Sequence, residues 1–415
     1  MSTYLSEADA GKRIMSRCDE LGSISEPGEG VTRLYLSPEH RLAAEVLVRW
    51  MQDAGMDARI DEAGNVVGRY HSVNGGGPYL VTGSHMDSVV NAGRYDGPLG
   101  VLTSLDCVAV LGNQGRRFPF GIEVVAFADE EGVRFRTTLA GSRAVTGRFG
   151  EDLFAAKDAN GVSLPTAMRE FGLDPAKVHL AAHLSDQVIG YVEVHIEQGP
   201  VLQAANLPVG IVTAISGQTR AVIKLKGAAN HAGTVPMGMR HDPLLAASEI
   251  VLEVERVASS FPNTVGTVGS LKTEPGVINV IPGDVSLTVD LRSQADCDRN
   301  AAFAELGAAF ELIAARRGVR LEIDKILDLK SCPCAPSFIS QIESAVEGAG
   351  VRLLHLPSGA GHDGMAMSEL TDIGMIFVRC KDGISHSPDE SVTTEDVAVG
   401  AAALLRFIEN FQGNQ

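Results

Sequence analysis

Five short stretches concentrate the residue types that hold metal ions and move protons. Gly83-Ser84-His85-Met86-Asp87-Ser88 places a histidine and an aspartate two apart, just past an apolar run. At that spacing a histidine can bind metal through one ring nitrogen while the carboxylate orients it. Arg94-Tyr95-Asp96-Gly97-Pro98-Leu99-Gly100 carries a single aspartate. Alone, Asp96 reads as a helix cap before Gly-Pro. Beside two metals it reads as the carboxylate that bridges them and offsets their repulsion. Phe127-Ala128-Asp129-Glu130-Glu131-Gly132 sets three acids immediately after a buried strand. Acidic runs are ordinarily solvated loops. Adjacent glutamates point different ways, however, so one can bind metal while the other faces a water as general base. In Glu193-Val194-His195-Ile196-Glu197-Gln198-Gly199-Pro200, strand alternation puts Glu193, His195 and Glu197 on one face, a poor face for a core. Gly383-Ile384-Ser385-His386-Ser387-Pro388 adds one more histidine, which alone would read as a surface residue. His85, His195, His386, Asp96 and Glu131 together form a nitrogen/oxygen ligand set with no sulfur, suited to zinc or manganese-like ions.

These stretches belong to a longer ordered series: GSHMDSV, YDGPLG, FADEEGVRF, HIEQGP, NHAGTVPMG, GVINVIPG, SGAGHDGMAM and GISHSPDE, spread over nearly the whole chain. In that series the chain resembles the dinuclear-metal amidase/hydantoinase/carbamoylase family. The family contains N-carbamoyl-L-amino acid hydrolases, β-ureidopropionases and allantoate amidohydrolases, and is related to aminoacylases and zinc carboxypeptidases. The resemblance implies two divalent ions per subunit: zinc, with manganese, cobalt or nickel as alternatives. His85 and His195 would hold one, Glu131 and His386 the other, and Asp96 would bridge them. Glu130 would be the general base and Asp87 would orient His85. The same resemblance implies that Gln198, Asn279, Arg292, Gly359 and Ala360 bind substrate. It also implies that His231 reaches the active site of the other subunit of a homodimer, where it binds substrate and helps stabilise the oxyanion. Arg292, near a strand end, is chemically suited to grip a carboxylate bidentately.

The implied activity is hydrolysis of the ureido C–N bond of a small carboxylate-bearing substrate. An N-carbamoyl-L-amino acid comes first, with allantoate or β-ureidopropionate as alternatives. HIEQGP has a histidine where the related peptidases commonly have an acid, which favours the carbamoylase branch. A non-catalytic binder that kept the fold is a remote alternative, because Glu130 and every ligand of the pattern are present. His362-Asp363 reads as a structural hydrogen-bonding pair, since the ligand set is complete without it. Cys332-Pro333-Cys334 is too short for a Cys-x-x-Cys motif and lacks a second pair.

The elements that must position these residues read as α/β. Ser37-Pro38 opens a helix whose Leu42, Val46, Leu47, Trp50 and Met51 share a face, and Gly55 ends it. Met56–Asp61 and Val66–Tyr70 read as a hairpin, and Tyr79–Thr82, Ile122–Ala128 and Tyr191–Ile196 as buried strands. Gly97–Leu111 reads as a buried helix. From about Gly217 the texture changes. Thr219–Lys226 is a strand and Asp242-Pro243 opens a helix running to about Ser260. Thr264–Leu271 and Val285–Leu291 are strands, Asp296–Arg317 a helix and Val319–Ile326 a last strand. That order, β-α-β-β-α-β, is a ferredoxin-like unit. Helix Ser337–Gly350, strands Val351–Leu356 and Gly374–Val378 and helix Thr394–Phe411 then complete the first domain. The expectation is therefore a zinc-peptidase-like α/β catalytic domain (residues 1–216 and 328–415) with an inserted ferredoxin-like lid and dimerisation domain (217–327). Closure of one on the other is expected to complete the site.

Composition narrows the partners. In 415 residues, Lys+Arg is 35 and Asp+Glu is 52, a net charge of -17. That argues against nucleic-acid or anionic-membrane partners, which need a basic face. No apolar run is long enough to span a bilayer. The opening MSTYLSEADAGKRI lacks a secretory core. Six cysteines make no disulfide framework, so a cytoplasmic location is expected.

Overall fold

The computed structural model describes residues 9–413. The first eight residues of the N-terminal stretch read above lie outside that range. The chain forms two compact units. One comprises the residues up to Thr213 with Cys334–Leu356 and Ala360 onward; the other comprises Ala214–Pro333 and Pro357–Gly359.

The first unit is built on a mixed sheet. Its strands run Asp57–Ile60, Val66–Tyr70, Gly121–Phe127, Tyr79–His85, Val188–Ile196, Ile373–Val378 and Val209–Ile215 in spatial order. The Tyr79–His85 and Gly121–Phe127 strands are buried along their whole length. This explains their continuous apolar character, because helices cover both faces of such strands. They pair in parallel with His85 opposite Phe127. Ile373–Val378 pairs in parallel with Tyr191–Ile196. The four central strands therefore point the same way, and their carboxyl ends release the ligand-bearing loops on one side, where open α/β sheets bind ligands. The apolar helix Pro98–Asn113 buries Leu99, Val101, Leu102, Leu105 and Val108.

One helix was not read from the sequence, and one strand needs correction. A helix at Ala10–Gly22 precedes the Ser37-Pro38 helix, burying Ala10, Ile14, Cys18 and Leu21. Sheet pairing after the Pro336–Gly348 helix begins only at His355 and runs to Ser358. Val351 and Leu353 instead pack as side chains on the core.

The second unit carries a four-stranded antiparallel sheet in the order Arg320–Leu329, Gly217–Lys226, Asp284–Ser293, Thr264–Glu274. Helices Pro243–Ser260 and Asp296–Arg317 cover one face. There Ala246, Ile250, Val254, Leu306 and Phe310 pack with Ala221, Ile223, Leu225, Leu287 and Val289. The other face keeps the alternate, polar residues. Asp242 caps the first helix by accepting from the Leu244 and Leu245 N–H groups.

Candidate metal centre

The five expected ligands come together in the first unit. Asp96 Oδ1 lies 3.2 Å from His195 Nε2 and 3.5 Å from His85 Nε2. Its other oxygen, Oδ2, lies 3.2 Å from His386 Nε2, which is 3.3 Å from Glu131 Oε1. Asp96 is thus shared between a His85/His195 side and a Glu131/His386 side. His85, Asp96 and His195 offer one ligand atom each within a few ångströms of one another, and so do Asp96, Glu131 and His386. Asp96 is not the helix cap; Gly97 occupies that position. The donors are nitrogen and oxygen, mostly buried, with no sulfur, and they fit two hard-to-borderline divalent ions.

Proton affinities follow from the crowding. Burial disfavours the charged form of His85, yet Asp96, Asp87 and Glu130 around it raise its pKa well above the usual value. Asp96 is held well below the carboxylate range despite burial, by hydrogen bonds from His195, His386 and His85. Asp96 and Glu131 push His386 up to about 10. Every one of these shifts says that the pocket attracts positive charge, which is what a pair of cations supplies. Glu130 sits beside His85 and Glu131. Burial, then the charges of Glu131, Asp363 and Asp87, raise its proton affinity well above that of an ordinary glutamate. A carboxylate so placed is suited to take and return a proton.

The supports differ in part from those expected. The His85 Nδ1 partner is the Asp87 backbone oxygen at 3.1 Å, while the Asp87 carboxylate is 3.6 Å away. That carboxylate instead accepts from the Glu130 and Glu131 backbone N–H groups at 3.0 and 3.2 Å. It therefore fixes the loop that carries Glu130 and Glu131. Glu197 does not share the site face. It lies beyond its strand and accepts from the Val201 and Leu202 N–H groups, capping the next helix. Glu193 is buried, accepting from Ser84 Oγ and Tyr191 Oη. Gln198 donates to Asp96 Oδ2 at 2.8 Å. His362 is buried with its ring 4.5 Å from that of His195, and burial holds it neutral. Cys332 and Cys334 are buried and form no disulfide.

Two supporting residues were missed in the sequence. Arg33 is buried, and its guanidinium donates to the Met86, Leu21 and Ile24 carbonyls, anchoring the loop after His85. Glu390, the last residue of GISHSPDE, accepts from the Tyr95 and Asp96 N–H groups at 2.8 and 3.1 Å. Its second oxygen is 3.1 Å from Ser385 Oγ, and that hydroxyl donates to Asp96 Oδ2 at 2.7 Å. The acid ending that motif was the available signal.

The remaining expected substrate residues lie mostly in the second unit. Asn230–His231 pairs with Val280–Ile281, which puts His231 opposite Val280 and next to Asn279. The Ala232 N–H donates to the Asn279 carbonyl at 3.0 Å. His231 and Asn279 are both exposed. Arg292 donates from Nη1 to the Gly359 carbonyl at 2.6 Å. Ala360 begins the return to the first unit.

Among the described residues no helix is long and apolar enough to cross a membrane. Residues 81–410 match the model for peptidase family M20/M25/M40. The chain is 43% identical over 399 residues to an N-carbamoyl-L-amino acid amidohydrolase of Geobacillus stearothermophilus, covering 96% of this chain and 98% of that one. It is 39% identical over 437 residues to an allantoate deiminase of Arabidopsis thaliana, covering 98% and 83%. Among solved structures it is similar to an amidase of the hydantoinase/carbamoylase family from Burkholderia multivorans. The TM-score is 0.90 at 33% identity, covering 96% of this chain and 97% of that chain. Ordered motifs, sheet, ligand cluster and full-length similarity agree: this chain belongs to peptidase family M20/M25/M40, among its hydantoinase/carbamoylase-type amidohydrolases.

Proposed function

We propose that the protein hydrolyses the carbamoyl C–N bond of an N-carbamoyl-L-amino acid, releasing the amino acid, ammonia and carbon dioxide. The observation that carries this reading is Asp96 shared between a buried His85/His195 group and a more open Glu131/His386 group, with Glu130 beside them. His85, His195, Asp96, Glu131 and His386 would hold two divalent ions, which would supply Lewis-acid activation of a water and of the carbamoyl oxygen. Glu130 accepts the water's proton at its carboxylate and returns it to the leaving nitrogen. Asp87 holds Glu130 and Glu131 through their backbone N–H groups. Arg292 is assigned to the substrate carboxylate, with Asn279, Gln198, Gly359 and Ala360 as further contacts. His231, exposed in the second unit, is assigned to the partner subunit's substrate in a homodimer. A reducing, cytoplasmic setting fits six cysteines with no disulfide among them.

Allantoate is the second reading, favoured by the similarity to the plant allantoate deiminase; it too has a ureido group beside a carboxylate. The test is ammonia release by protein loaded with zinc or manganese, on N-carbamoyl-L-amino acids, β-ureidopropionate and allantoate side by side. The expected result is the highest kcat/KM on an N-carbamoyl-L-amino acid. A dominant rate on allantoate would replace the first reading with the second. Silence on all three with two metals bound would refute both.

A further inference from the structure

The open face of the second unit's sheet carries a charge cluster whose members are set by strand register. Asp290 and Arg292 are two apart on one strand, so both point to the same face. On the neighbouring strand, Arg220 stands opposite Asp290 and Gln218 opposite Arg292. The four side chains meet. Asp290 Oδ1 accepts from Arg292 Nε at 2.9 Å and Oδ2 from Arg292 Nη2 at 3.1 Å. Oδ2 also accepts from Arg220 Nε at 2.9 Å and Gln218 Nε2 at 2.8 Å. One carboxylate is therefore held by two donors from the adjacent strand while it grips Arg292 on two of its nitrogens. Arg220, Asp290 and Arg292 line a concavity of about 590 Å³ together with Val265, Thr267 and Gly359.

A guanidinium is a rigid fork whose value lies in its orientation. Asp290 engages the Arg292 Nε and one N–H of Nη2, and the Gly359 carbonyl engages one N–H of Nη1, so one N–H on each of Nη1 and Nη2 is left for a second partner. Within this cluster, two guanidiniums against one carboxylate leave one positive charge, enough for one anionic group. We propose that Asp290 is a positioning residue that fixes the Arg292 guanidinium in the plane in which it receives a substrate carboxylate, with Arg220 and Gln218 holding Asp290 in turn. This rests on the reading that Arg292 takes the substrate carboxylate. Pre-ordering the fork removes the rotamer cost that binding would otherwise carry.

The test compares an N-carbamoyl-L-amino acid with its carboxamide, using the metal-loaded full chain and following release of the amino acid or its amide. Parent, Asp290→Ala, Arg292→Ala and the double variant are run in parallel. Asp290→Ala is expected to raise KM for the carboxylate about tenfold or more, leaving kcat and the KM for the carboxamide nearly unchanged. Because Asp290 acts through Arg292, adding Asp290→Ala to Arg292→Ala should change nothing further. A purely structural role would move both substrates alike, and that result overturns the proposal. A persistent Asp290→Ala effect in the Arg292→Ala background overturns it as well. If Arg292→Ala abolishes carboxylate preference and Asp290→Ala does not, the proposal falls and the anchor reading stands. If Arg292→Ala itself leaves the preference intact, the anchor reading falls and takes the proposal with it. Should Asp290→Ala not fold, Asp290→Asn keeps the shape and carries the same comparison.

Discussion

Glu390 tests whether the metal centre is held from behind by a link between two distant loops. Its Oε1 satisfies the Tyr95 and Asp96 N–H groups, and its Oε2 meets Ser385 beside His386. Both N–H groups are buried, and Gly93 leaves no room for a Cβ beside the Glu390 side chain. Truncation to alanine strands two buried donors, each costing about 1–3 kcal/mol. The expected loss is therefore about 2–6 kcal/mol, its lower end reached if water enters the gap. The larger consequence falls on geometry. With the clamp gone, Asp96 is no longer set against both histidine groups, and outer supports of this kind are worth about 10–100-fold in metal affinity. Glu390→Gln keeps an acceptor for both N–H groups and a donor toward Ser385 Oγ, so it should stay within about 1 kcal/mol of the parent. Urea denaturation of the metal-free chain reads the stability, and zinc titration against a competing chelator reads the affinity. Glu390→Ala with stability within about 1 kcal/mol of the parent and unchanged zinc affinity would refute the reasoning.

Three further outcomes follow from the site and its supports. Gly97→Ala should weaken zinc binding sharply, because Gly97 has φ +83° and a Cβ there would lie 2.4 Å from His85 Cε1; chelator competition at wild-type affinity would contradict the packing. Glu130→Gln should keep both metals and lose about 10²–10⁴ in kcat; metal analysis with a steady-state rate decides it, and retained turnover removes Glu130 as the base. His40 accepts from the Leu36 N–H and its other ring nitrogen meets the Gly64 carbonyl, while burial lowers its pKa from 6.5 to about 3. The unfolded chain therefore binds that proton first as pH falls. The contribution of the neutral ring is whole above about pH 6.5 and is lost at up to about 1.4 kcal/mol per unit as pH drops toward 3. Denaturation between pH 7 and 5 should show a shallower slope for His40→Gln, and identical slopes would exclude His40 as a source.

Legibility followed physical range. The Asp296–Arg317 helix and the Val66–Tyr70 strand were readable because periodicity and flanking residues act within a few positions. His85, Glu131 and His195 were readable because they sit at or just past the ends of apolar strands, and Asp96 and His386 because they lie in polar motifs of the loops farther on. The Ala10–Gly22 helix had the right spacing at Ala10, Ile14, Cys18 and Leu21, but polar residues between them diluted the stripe. Glu197 was misjudged because alternation was carried one step past the strand's end, where backbone donors of the next helix claimed it. Glu390 and Arg33 were invisible as supports because their partners are backbone groups far along the chain.

The sequence by itself determined which chemistry was available: three histidines, an aspartate and a glutamate at strand ends and in the loops beyond them, a second glutamate next to the first, and an ordered motif series that names a family. Only the tertiary structure decided how those groups meet. Parallel register brings His85 level with Phe127 and His195 level with Phe377, so loops distant in sequence open side by side. Antiparallel register does the same for Arg220, Asp290, Arg292 and Gln218. Burial then sets the proton affinities of Glu130 and Asp96, because a charge removed from water is governed by its nearest neighbours, and those neighbours exist only once the chain has folded.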